Sequence, residues 1–205
     1  MSARRQRQMC IRDRYLLAIG IIGGGLAFLL FFNGLKLTTG GRASFLHKTL
    51  PLYVTVLAYF FLKERIGKRQ LAALLIMLLG LVVLVTTTIT PAALWMNPSL
   101  GDALVIMATI LWGVENVIAR KAMMKGESNW VVSFARMFFG AVFLWGVVLL
   151  TGKFDLILNL SPVQWLSILG STIILFGYIL TYYWSIRSVS YTHLRDHETT
   201  ANLVC

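Results

Sequence analysis

The chain has 205 residues, of which 58% are hydrophobic and 13% charged, with a mean hydropathy of +0.75 and a formal net charge of +11. So small a charged share excludes an ordinary soluble domain, where about 25% is usual, and basic loops beside membrane helices explain the positive excess better than a nucleic-acid surface. Two cysteines, Cys10 and Cys205, with no CxxC spacing and no Cys/His cluster, indicate neither a disulfide framework nor a zinc site.

Six apolar stretches follow one another along the chain, at about 15–37, 43–62, 70–89, 102–122, 130–150 and 163–184. Each is close to the roughly 20 residues that a helix needs to cross hydrocarbon. Lipid offers no partners to peptide groups, so each span must be a helix that satisfies its own backbone. The alternation of a transmembrane β-strand is absent. The predicted fold is all-α: a polytopic transmembrane helix bundle of six spans. The loop at 62–70 (LKERIGKRQ) carries Lys63, Arg65, Lys68 and Arg69, and the loop at 119–127 carries Arg120, Lys121 and Lys125. Alternating spans put these two loops on one side, against Lys36, Arg42 and Lys153 on the other. The asymmetry predicts that the two basic loops are cytoplasmic. Within the first span, Gly20-xxx-Gly24 has the small-residue spacing of close helix contact.

The two ends read as foreign. Residues 8–13 (QMCIRD) can be written CAG ATG TGT ATA AGA GAC, whose reverse complement encodes VSYTHL, and that peptide stands at 189–194. Such ends resemble translated sequencing adaptors read through on both sides of an insert, with RRQR at 4–7 and RDHET at 195–199 as continuations and Asp196 as a departure. Residues 1–14 and 188–205 are therefore expected to be non-native tails that pack against nothing specific. His193 and His197 go with them, which leaves His47 as the histidine of the insert.

Residues 25–36 can be laid on 176–187 at an offset of 151, at low identity. Shared membrane composition produces such a match, and so does an inverted repeat with an odd number of helices per unit. A more specific pattern lies at 43–84: Pro51-Leu52, an aromatic-aliphatic run, Leu62-Lys63-Glu64-Arg65-Ile66, then Gln70 and Leu74-Leu75-Ile76 through Gly80. This stretch resembles the fourth and fifth helices of the EamA family of the drug/metabolite transporter superfamily, which commonly has Gly where Lys63 stands and often Gly where Ala72 stands. Gly101-Asp102 into Leu111-Trp112-Gly113, with Asn116 and Arg120-Lys121 beyond, resembles the opening helix of that family's second repeat. The resemblance implies ten helices in two five-helix inverted repeats. Residues 15–90 would be the last three helices of the first repeat, 91–101 an outer loop, and 102–187 the first three helices of the second, with four helices lacking.

Polar residues inside spans are costly and therefore informative. Glu115 and Arg136 lie on consecutive spans at a common depth of roughly 10 Å from the same side, so they are expected to meet. Two readings stand: a charge pair that gates or lines a substrate path, or a structural pair, with Arg136 otherwise snorkelling to the interface. His47 and Lys48 lie about a turn into the second span, just before Pro51. They read as an anion- or substrate-binding corner, or as an interfacial lysine beside a hydrogen-bonded histidine. Trp112, Asn116, Tyr178, Tyr182 and Asn33 are candidates to line an amphipathic cavity, or else anchor and pack helices. Glu64 is expected to cap or pair within its own basic loop.

No phosphate-cradling glycine motif is present, since the glycines sit inside a span. The expected function is secondary-active transport of a small organic metabolite by alternating access in the cell membrane, as a multi-pass protein. Expected partners are the lipid bilayer, a small-molecule solute and a second copy of the chain, with no nucleic acid, no metal and no cofactor. The alternatives are a membrane-embedded enzyme, which lacks clustered nucleophiles and bases here, a structural membrane subunit, or a truncated piece without activity.

Overall fold

A computed structural model describes the backbone of residues 12–64, 67–88 and 98–201, and the side chains of all of these but 84, 85, 87, 88 and 188–201. Helix α1 runs over Arg12–Leu35. It is followed by α2 (Gly40–His47), α3 (Leu50–Leu62), α4 (Lys68–Thr88), α5 (Leu100–Met124), α6 (Asn129–Leu150), the short α7 (Phe154–Leu158) and α8 (Pro162–Ala201). Among the described residues, five segments are long and apolar enough to cross a membrane: Arg12–Leu35, Gly40–Leu62, Leu100–Met124, Asn129–Leu150 and Pro162–Arg187. The remaining expected span coincides with α4, which is helical over 21 residues. The all-α bundle is as expected.

Helix α1 forms the centre, because its glycines let two neighbours approach backbone to backbone. A Cβ on Gly140 of α6 would fall 2.6 Å from the Gly24 carbonyl, and one on Gly24 would overlap the Arg136 carbonyl. Toward the other end, a Cβ on Gly101 of α5 would fall 2.6 Å from the Gly34 carbonyl. The glycine-rich stretch Ile19–Leu26 is wound as a π-helix, and the Ala27 N–H donates to the Ile22 carbonyl. Helix α5 carries the longest buried stripe, from Gly101 to Met123. It starts at a capping box: the Ser99 hydroxyl accepts from the Asp102 N–H at 3.1 Å, and Asp102 accepts from the Ser99 N–H at 2.9 Å.

The expected second span is two helices, broken at Lys48 and Thr49. Pro51 is the cause. Its ring would clash with the carbonyl four residues back, at His47, and it has no N–H to donate there. The α2 helix therefore stops at His47, and Pro51 sits in the first turn of α3, where a missing N–H costs nothing. At its far end α3 closes on Lys63 in the left-handed conformation, φ 56°, with its N–H on the Ala58 carbonyl.

Two expectations change. Among the described residues Glu64 pairs outside its own loop: Arg120 of α5 reaches it at 2.8 Å. Arg12, inside a tail expected to touch nothing, opens α1 and lies 3.5 Å from Glu127. Asp13 and Arg14 of the same tail are described as exposed helix, and the rest of the tails falls on 1–11 and 202–205, outside the described residues, and on 188–201, whose side chains are outside them. Arg65 of the basic loop is outside them as well.

Candidate functional site

The break between α2 and α3 opens onto a cavity of about 630 Å³. Its polar wall is His47 and Lys48 from the break, Thr55 from α3, and Tyr178 and Tyr182 from α8. Pro51 and Val54 of α3, with Met77 and Leu81 of α4, supply apolar wall. Tyr178 and Tyr182 stand one turn apart on α8, their rings stacked at 5.6 Å. Sites for organic ligands are usually of this size and kind, mostly apolar with a few placed polar groups.

Behind this wall lies an aromatic layer. The His47 ring packs on Trp112 at 4.7 Å and on Phe31 at 5.5 Å. Phe28 meets Trp112 edge-on at 5.2 Å. The Trp112 indole N–H donates to the Gly23 carbonyl at 2.9 Å, tying α5 to the π-helical stretch of α1. His47 Nδ1 and Asn116 Oδ1 are buried without a hydrogen-bond partner among the described residues.

Glu115 and Arg136 meet as expected. Arg136 Nη1 lies 3.1 Å from Glu115 Oε2, and the two side chains are 0% and 9% exposed. The Tyr183 hydroxyl completes the cluster: it donates to Glu115 Oε1 and accepts from Arg136 Nη1 at 3.1 Å. Space for Glu115 exists because residue 23 is glycine, where a Cβ would overlap the glutamate side chain. The cluster joins α5, α6 and α8, and neither Glu115 nor Arg136 lies on the cavity wall.

The structure therefore brings His47, Lys48, Tyr178 and Tyr182 onto one cavity and places Trp112, Asn116, Glu115 and Arg136 behind it. Asn33 belongs to neither group: it is exposed and donates to the Leu29 carbonyl of its own helix. Sequence reasoning missed three polar groups. Tyr183 has no signal in the sequence, because the buried stripe Ile179/Tyr183 is one residue out of phase with the cavity stripe Tyr178/Tyr182. Asp102, bonded by Thr38 and paired with Arg42 at 2.6 Å, is signalled by the Ser99-x-x-Asp102 cap pattern. Arg120, read as a loop charge, also donates to the Ile186 carbonyl at 2.6 Å, so one guanidinium ties α8 to Glu64 beyond the end of α3.

The family model for EamA-like transporters matches residues 3–86 and again 99–194. The chain belongs to the EamA-like transporter family. The matches run into parts of both tails read above as foreign. Among curated relatives of this EamA-like chain, an uncharacterized transporter YyaM of Bacillus subtilis is 26% identical over 168 residues, which is 82% of this chain and 54% of the relative. An uncharacterized transporter of Archaeoglobus fulgidus is 27% identical over 173 residues, 82% of this chain and 57% of the relative. The chain thus spans about half the length of the curated relatives it matches. No solved structure matches. Family and apolar helices together make this EamA-like chain a multi-pass membrane protein. The cavity takes His47 to Leu81 from the first matched segment and Tyr178 and Tyr182 from the second.

Proposed function

We propose that the protein is a secondary-active carrier that moves a small organic metabolite across the cell membrane by alternating access, with the cavity as its solute site. The observation that carries this reading is the cavity's position at a broken helix, walled by both segments that match the transporter family. Carriers built from repeats bind solute at the repeat interface, where broken helices free backbone groups for the ligand. Relative motion of the two segments would then expose the cavity to one side and the other. The Glu115, Arg136 and Tyr183 cluster acts as a brace behind the site rather than as part of the path, since burial keeps it off the wall. The loops holding Lys63–Arg69 and Arg120–Lys125 face the cytoplasm in this arrangement.

Purified protein in liposomes tests the reading. A panel of labelled carboxylates, amines, sugars and amides is offered without ATP. At least one solute should enter saturably, and Tyr182→Trp, which removes a hydroxyl from the wall and narrows the cavity, should cut that uptake at least about tenfold. No saturable flux, or flux indifferent to Tyr182→Trp, contradicts it.

A further inference from the structure

We infer that the cavity selects a monoanion with an apolar body, its carboxylate or equivalent oxyanion held by Lys48. This inference rests on the carrier reading for the cavity's role and narrows it to a substrate class. Lys48 is the one charged side chain on the described wall. Among the described residues, no carboxylate lies within ion-pairing distance of its ammonium and no aspartate or glutamate lines the cavity. Glu115 is buried behind the wall, paired with Arg136 and hydrogen-bonded by the Tyr183 hydroxyl. The remaining polar wall is hydroxyl and imidazole: Thr55, Tyr178, Tyr182 and His47. All of these can donate a hydrogen bond to an anion.

The physics follows from what each kind of ligand would meet. On this wall an ammonium ligand would face Lys48 with no counter-charge, and a like charge at close range is unfavourable. A zwitterion would place its amine in the same position. An anion gains a charge-assisted hydrogen bond from Lys48 and neutral ones from the hydroxyls. Its body meets Pro51, Val54, Met77 and Leu81, which reward apolar area and offer nothing to a sugar's hydroxyls. One cation on the wall fits a single negative charge, since a second would be left unpaired.

Equilibrium dialysis of the full chain in lipid nanodiscs decides the matter, with protein-free discs as the baseline for partitioning into lipid. The probes are phenylpropanoate, its neutral amide and phenylpropylammonium, which share one body and differ in charge. The anion should bind saturably, at least about tenfold tighter than the other two. Lys48→Gln should erase that preference and Lys48→Arg should keep it; Lys48 is exposed, so neither change disturbs a packed core. The inference is overturned by equal or tighter binding of the amide or ammonium, by a preference that survives Lys48→Gln, or by the absence of saturable anion binding. The carrier reading fails separately: saturable anion binding with no flux in liposomes removes the carrier and leaves the binding class. Saturable flux of a cation, blocked by Tyr182→Trp, removes the class and leaves the carrier.

Discussion

An ion pair as buried as Glu115 and Arg136 is costly unless each partner stays matched, so the two residues should behave as a unit. Glu115→Gln alone leaves a guanidinium among helices, and Arg136→Gln alone leaves a carboxylate. Each should destabilise the bundle more than half as much as both together, with a coupling free energy of at least about 1 kcal/mol. A double-mutant cycle on denaturant-induced unfolding in detergent measures it, and additive losses would mean the contact carries no energy. Tyr183→Phe should also lower stability, because it removes a hydroxyl that serves both partners. The pairing of Glu115 with Arg136 is legible in the sequence, since two charges at one depth on consecutive spans have few other partners. Tyr183 is not legible, because its burial depends on how α8 is rotated about its axis, and the apolar residues of the span 163–184 do not mark out one face. A further residue-scale effect is expected at Lys63, whose φ of 56° lies where a side chain costs roughly 1–2 kcal/mol. Lys63→Gly should raise the unfolding free energy, read from denaturant unfolding in detergent, by at most about 1 kcal/mol after the greater chain entropy of glycine is subtracted.

At the scale of elements, the close crossing of α1 and α6 makes a sharp contrast among glycines. Gly24 and Gly140 touch backbone to backbone, whereas a Cβ on Gly80 of α4 meets nothing within 4 Å. Gly140→Leu should therefore cost about 1–3 kcal/mol or prevent assembly, and Gly80→Ala should be tolerated, as read by thermal unfolding of each variant. The reverse order would show that α1 and α6 do not cross at these residues. The Gly20-xxx-Gly24 spacing makes close contact legible in advance, but not the partner: α6 is identified only by where Gly140 falls. Nor is the π-helical winding of Ile19–Leu26 visible in the sequence, because glycine accepts many windings and the neighbours choose. Pro51 announces a disturbance in the second span. The disturbance is a turn at Lys48 and Thr49 whose backbone stays right-handed helical, and the Thr49 hydroxyl donates back to the Leu46 carbonyl there.

The whole molecule is the scale at which the membrane imposes most, and there the sequence is most informative. Helical class follows from the need to satisfy backbone groups in lipid, and five of the six expected spans are long and apolar enough to cross a membrane among the described residues. Orientation rests on the basic loops. Cysteines placed at Gly67 and Gly126, in a background lacking Cys10 and Cys205, should resist an impermeant thiol reagent applied from outside the cell, and one at Gly152 should react. The opposite pattern would invert the topology. The cavity is a different matter, because it arises between segments about a hundred residues apart; His47, Lys48, Tyr178 and Tyr182 are legible as candidates, but not that they share one wall.

Alternation of this cavity between the two membrane faces is the central claim, and Thr55 is the residue to follow. A single cysteine at Thr55, on the cavity wall, should be labelled by an impermeant maleimide added to either side of oriented liposomes, and saturating solute should protect it from both. Labelling from one side alone, or from neither, would contradict alternating access through this site.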